Sequence, residues 1–307
     1  MKIEKLKENI KTGLFSESVV TVKEMGNITE VRYMLMHSGG LIHKIDKNTY
    51  YNIRTGEVKE FKTSTKRIEN KESVSRSLKN LRDIINTNIT DNKRVLWVTL
   101  TYKKNMTDNV RLYHDYRKFN MRFQRYLKNN KLPKCEYIAT AEPQGRGAWH
   151  LHILFIFKSK APFIKNKPLA MLWGHGFVSI TSLRKIDNVG VYLTAYLSNL
   201  DITEELTELE SSHKKSIIKG ARIKLYPTGF RIYRCSRGIK KPTVYETTER
   251  EAMRKVKGAA LTYEKTVQLS YDDGRIINRI NYRHFNKKQN KKKRGKRKNE
   301  YTTNNEH

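Results

Sequence analysis

The chain is poor in several things that would have narrowed its class. It has two cysteines, Cys135 and Cys235, far apart in sequence. They are too few for a disulfide framework or a Cys-rich zinc knuckle, and this usage fits a reducing cytoplasm. No run of 18 apolar residues occurs, and the opening MKIEKLKENIKTG has no apolar stretch. Neither a membrane span nor a signal peptide is therefore expected. There is no G-x-x-x-x-G-K-[ST] run, which argues against nucleotide hydrolysis on a phosphate-cradling loop. Acidic residues are scarce as well: 30 Asp+Glu stand against 63 Lys+Arg, a net charge of +33. Such an excess says nothing about fold, but it draws polyanions, and nucleic acid is the leading partner. An anionic membrane is the weaker alternative, because no Lys-rich amphipathic helix with a greasy face is present.

Part of the charge lies in NKKQNKKKRGKRK, residues 286–298, with nine basic residues and no acidic one. That segment reads as a disordered basic tail, 286–307. Ahead of it the pattern gives an N-terminal helix and β-hairpin region over 1–68, a central domain over 69–245 and a C-terminal extension over 246–285. In the first region, EVRYMLMHSGGLIHKI suggests a hairpin about Gly39-Gly40, and TYYNIRTGEVKEF a second about Thr55-Gly56. Val74, Leu78, Leu81 and Ile85 recur on one face of a helix over 70–88. RVLWVTLTY (94–102) alternates as a strand. Tyr113, Tyr116, Phe119, Phe123 and Tyr126 form the apolar stripe of a helix over 109–129, with Arg122 and Arg125 among the basic positions around it. CEYIATAE, PQGRGA and WHLHILFIF read as strand, turn and strand. GFVSITSL is a further strand, Asp187 caps a helix carrying VGVYLTAYLSNL, and ITEELTELE is an acidic helix. The fold class expected is α+β, an antiparallel sheet of about five strands with packed helices.

Chemistry concentrates in the third strand. Alternation puts His150 and His152 on one face, roughly 6–7 Å apart at Cα, with Leu151, Ile153, Phe155 and Phe157 on the other. An H-x-H pair arises by chance in roughly one such chain in four, so the pair alone identifies nothing. Glu142 adds weight. If the hairpin pairs it with His150, all three side chains share a face; a one-residue slip removes it. Two imidazoles and a carboxylate suit Mg²⁺ or Mn²⁺, and ligand type leaves Zn²⁺ open. Tyr192 and Tyr196 lie four apart on one helix face. Each is either a nucleophile or a core ring at helical spacing, and Leu193 and Leu197 form an equally good apolar stripe. Thr99 and Thr101 either support the histidines from the next strand or are simply good strand formers.

In this order, WVTLTY, E-PQGRGAW-HLH and YLTAYLS resemble the HUH endonuclease superfamily, and more closely the rolling-circle replication initiators of bacterial plasmids and single-stranded phages. The resemblance covers roughly 70–245. The flanks LRDIINTNI, WGHGFVSI and YRCSRGIKKP look like members from Gram-positive hosts. It implies a ferredoxin-like palm with both histidines on a central strand and the tyrosines on a helix across the sheet. It also implies nicking and joining of single-stranded origin DNA in the cytoplasm of a bacterial host. His150, His152 and Glu142 would hold the metal. One tyrosine would attack to leave a 5′-phosphotyrosine and a free 3′-OH, with host helicase and polymerase as partners. Many initiators carry a lysine three residues after the catalytic tyrosine; here those positions are Ala195 and Asn199. Arg146, Lys103 and Lys185 are the candidate replacements, and with Arg122 and Arg125 the candidate DNA contacts. Tyr196 is favoured for the first cut because it lies further into its helix. The alternatives are a non-catalytic DNA-binding replicon regulator, or a relaxase or transposase with the same chemistry. Origin sequence and oligomeric state stay open.

Overall fold

A computed structural model describes residues 3–6, 14–36, 42–46, 48–52, 56–60, 71–144, 146–184, 186–198, 226–227, 229–271 and 276–289. The chain divides into two compact units: 25–27 with 66–242, and 1–24 with 28–65 and 243–307. None of the described helices is long and apolar enough to cross a membrane.

The second of these units joins the two ends of the chain. Its early strands are β1 (Ile3–Leu6), β2 (Val19–Met25), β3 (Ile28–Met34), β4 (Ile42–Lys44), β5 (Thr49–Asn52) and β6 (Val58–Glu60). The strands β4, β5 and β6 form a small antiparallel sheet, and β5 pairs with β6 as the second expected hairpin requires. The first expected hairpin is not found, because β3 and β4 belong to different sheets. Nor is the start of the chain a helix where it is described. A four-residue segment cannot nucleate a helix alone, and β1 instead pairs with a late strand, Ile3 opposite Tyr271.

The other unit holds the expected sheet. It comprises α1 (Lys71–Asn88), β7 (Val95–Tyr102), α2 (Asn109–Asn129), β8 (Cys135–Pro143), β9 (Trp149–Phe157), α3 (Asn166–Trp173), β10 (Gly176–Thr181), α4 (Val189–Ser198) and β11 (Tyr233–Cys235). The five strands are antiparallel in the order β10-β7-β9-β8-β11, so β9 is central. One sheet face carries Leu151, Ile153 and Phe155, all fully buried. Helix α2 packs there: Phe123 lies 4.4 Å from Phe155 between ring centroids, and Phe119 6.4 Å. Asp108 caps α2 by accepting from the Val110 and Arg111 backbone N–H groups. Burying each such ring is worth roughly 1.5–3 kcal/mol, which fixes which face of β9 points inward. Helix α3, a short unit with no strong sequence signal, seats Trp173 against Phe119 on that same face. The cap of α4 is Asn188, not Asp187: its Oδ1 accepts from the Val191 N–H at 3.0 Å. Two adjacent residues of equal capping strength differ only in which one the chain turns at, and periodicity does not resolve that. The acidic ITEELTELE segment lies outside the described residues.

The terminal unit closes with β12 (Thr243–Thr248), α5 (Glu249–Lys255), β13 (Ala260–Tyr271) and β14 (Ile276–Asn286). Its main sheet runs β1-β13-β14-β3-β2-β12. Ala252 and Val256 pack with Val20, Val22, Val31 and Phe285. Arg283 donates to both Glu249 carboxylate oxygens at 2.6 Å, a two-pronged buried pair. The basic run begins inside this structure. Asn286 is buried and pairs with Ala260 and Ile28, and residues 287–289 are helical. Strand pairing satisfies a backbone whatever the side chain, so composition placed the tail boundary too early. Residues 290–307 lie outside the description.

Candidate active site

Register decides the site. Glu142 pairs with His150 and Thr140 with His152 across the β8–β9 hairpin, while Thr99 pairs with His152 and Thr101 with His150 from β7. All of these alternate onto the face opposite Leu151 and Phe155. Glu142 is fully buried and His152 is 2% exposed. His152 Nε2 lies 2.6 Å from Glu142 Oε2, and its Nδ1 lies 3.1 Å from Thr99 Oγ1. The Gln144 amide lies 3.0 Å from His150 Nδ1 and 3.5 Å from Glu142 Oε2. Gln144 was missed by the sequence reading, although it sits in the PQGRGA turn. It bridges two of the candidate ligands because the turn returns it to their face.

Both imidazoles are held neutral. Burial, then the neighbouring His152 and Arg146, push His150 down to about 4. Burial alone pushes His152 to about 4. A neutral ring is the form that ligates a metal. With Nδ1–H donating to Thr99, the His152 Nε2 lone pair points toward Glu142, where the short bond is now bridged by a proton. A cation could take that proton's place. The buried Thr140 Oγ1, in register with His152, has no hydrogen-bond partner among the described residues. It leaves a further oxygen on this face. The donor set of Glu142, His152 and His150 therefore fits a divalent ion in kind. Among the described residues, however, no three His, Cys, Asp or Glu side chains are gathered into a metal-holding group. His150 is turned to Gln144, so its ring would have to exchange that partner.

The tyrosines occupy α4. The Tyr192 ring meets Trp97 edge-on at 5.7 Å, and Trp97 meets His152 at 6.1 Å. Tyr192 is 38% exposed. The side chain of Tyr196 lies outside the described residues. By contrast, Tyr102, Tyr113 and Tyr116 have hydroxyls pushed well up, foremost by burial, and are unfit as nucleophiles. The proposed DNA contacts are scattered. Arg146 is exposed in the hairpin turn, and its carbonyl accepts from Asn105 at 3.4 Å. Lys103 is exposed just after β7. Lys185 lies outside the described residues. Arg122 donates to the Leu172 and Trp173 carbonyls at 2.7 and 3.2 Å and so closes the end of α3. With Arg125 it belongs to α2, on the other face of the sheet from Glu142.

The segment from β7 to α4 thus carries every candidate catalytic group. Residues 95–201 match a family model described as that of the replication-associated protein ORF2. The match covers about a third of the 307 residues and supports a replication-initiator family, which acts on DNA. No curated protein and no solved structure matches the chain.

Proposed function

We propose that this domain nicks and rejoins single-stranded DNA at a replication origin, in the manner of HUH-superfamily rolling-circle initiators of Gram-positive hosts. The observation that carries the reading is the continuous line Tyr192–Trp97–His152–Glu142, which puts an accessible phenol next to a buried acid–imidazole pair. Tyr192, rather than Tyr196, is the nucleophile we assign to the first cut. Its oxygen bonds to phosphorus, the bond from phosphorus to the 3′ oxygen breaks, and a 5′-phosphotyrosine and free 3′-OH result. The phenol gives up a proton and the departing oxygen gains one. Glu142, His152 and His150 would hold Mg²⁺ or Mn²⁺, which when bound withdraws charge from the scissile phosphate. Thr99 fixes the His152 tautomer. Trp97 sets the distance of the tyrosine ring from the imidazole. Host helicase and polymerase would supply unwinding and synthesis, in the bacterial cytoplasm.

The test is a labelled origin-strand oligonucleotide incubated with Mn²⁺. A covalent adduct should form, and His150→Ala or His152→Ala should abolish it while leaving salt-sensitive binding, since that rests on many phosphate contacts. Undiminished nicking in excess chelator would remove the metal from the scheme. A second reading, a non-catalytic replicon regulator, is favoured by the hydrogen-bonded closure of the site and, among the described residues, its lack of a gathered three-ligand group. No adduct with any divalent ion would select it.

A further inference from the structure

At the end of β8 remote from Glu142, Arg125, Lys128, Lys131 and Lys134 line one open groove of about 730 Å³ together with Gln124 and Asn129. No carboxylate lines it. Among the described residues none of the four cations is ion-paired, and Arg125, Lys128, Lys131 and Lys134 are all exposed. A cation in a last helical turn ordinarily offsets the helix dipole. That accounts for Lys128, in the last turn of α2, but not for Lys134 beyond it or Arg125 a turn earlier.

The chain also takes a costly path to build this groove. After α2 the Leu132 N–H reaches back to the Leu127 carbonyl at 2.8 Å, and Lys131 adopts a φ of 53°. Among the described residues it is the one non-glycine with positive φ. Glycine or asparagine ordinarily fills such a position, and a lysine there costs roughly 1–2 kcal/mol. The turn sets Lys131 and Lys134 beside the two helix cations.

We propose that this groove binds the phosphodiester backbone of DNA flanking the cutting site. Lys134 and Glu142 are eight residues apart along one extended strand, which at about 3.3 Å per residue is about 26 Å. At 3.4 Å per nucleotide step along a duplex, that is roughly eight base pairs. The groove therefore anchors DNA that a short oligonucleotide seated at the catalytic face does not reach. The inference rests on the reading that this domain acts on DNA, yet its test needs no cleavage.

The experiment measures affinity of the full chain, in chelator, for three probes of arbitrary sequence. They are a single strand of about ten nucleotides, the same strand with a duplex flank of about twelve base pairs, and the same strand with a single-stranded flank of equal length. The variant is Lys128→Gln, Lys131→Asn, Lys134→Gln. The control is Lys158→Gln, Lys160→Gln, Lys167→Gln, three exposed cations elsewhere on the same unit. Each lost phosphate contact lowers the log–log salt slope by roughly 0.9 on duplex or 0.7 on single strands. The groove variant should lose roughly tenfold on a flanked probe at physiological salt, with the slope falling by about 2, and should bind the bare strand as wild type does. Whichever flank shows the loss identifies the form of DNA held. An unchanged slope on both flanked probes, or an equal loss in the control variant, overturns the proposal. Failure here leaves adduct formation untouched, so it is distinguishable from failure of the nicking reading. Because Lys131→Asn relieves the backbone, melting temperature should not fall, and a folding defect will not imitate the effect.

Discussion

Thr99 illustrates how much rests on single atoms. Its hydroxyl sits 3.1 Å from His152 Nδ1, and removing that bond while keeping the branched shape is a narrow change. Outer partners of ligating histidines typically matter by roughly 10–100-fold in metal affinity. Thr99→Val should therefore weaken Mn²⁺ binding by that order, read by titration, with melting temperature nearly unchanged. Equal affinity would make Thr99 an ordinary strand former. The histidines carry a second prediction. An unfolded imidazole titrates near 6.5, and both of these are pushed down to about 4 in the fold. As pH falls from about 6.5 toward 4, the unfolded chain takes up protons that the folded one refuses. Stability present above that window is lost across it. Urea midpoints measured in chelator should fall through this range, and His150→Gln should shrink the fall; identical profiles for variant and wild type would contradict the buried neutral ring.

At the level of elements, the position of α4 decides which tyrosine meets the site. The helix lies close against α1: Gly190 N–H donates to the Asn86 side chain at 3.1 Å. A Cβ at Gly190 would stand 2.5 Å from Asn86 Oδ1 and 2.6 Å from the Arg82 carbonyl. Gly190→Ala should push α4 away at a cost of about 1–3 kcal/mol. Tyr192, two residues on, would move with it, so cleavage should drop further than DNA affinity does. Retained nicking at wild-type rate would show that α4 need not be seated this closely. The assignment between the tyrosines is checked by peptide mapping of the adduct. Tyr192→Phe should lose the first cut, Tyr196→Phe should keep it, and an adduct in the double variant would overturn the tyrosine mechanism.

For the molecule as a whole, charge and chain ends matter most. Truncation from Asn286 would remove a buried, paired residue of β14, whereas truncation after Gln289 spares the described structure. The shorter cut still removes seven basic residues, Lys291 to Lys293, Arg294, Lys296, Arg297 and Lys298. Affinity should fall and its salt dependence flatten, while origin preference and cleavage persist, because a basic run supplies counterion release and little base readout. Loss of origin preference in that truncation would mean the tail reads sequence.

Periodicity alone was enough to place α1, β7, α2, β8, β9 and β10, because each buries one face and the burial is written into the spacing of apolar residues. It also put His150 and His152 on one face, since strand alternation is a local property. Glu142 joined them only through hairpin register, which turned on whether Glu142 faced His150 or slipped by one. Gln144 and Thr99 entered the site the same way, by neighbours across strands that no local pattern ties together. The terminal unit was not legible as one object. Residues 3–6 and 28–34 pair with strands more than two hundred positions later, and pairing between distant polar strands leaves no period in either. The contact of Tyr192 with Trp97 belongs to the same class. The sequence offered two equivalent tyrosines on one helix face, and only the packing of that helix on the sheet distinguished them.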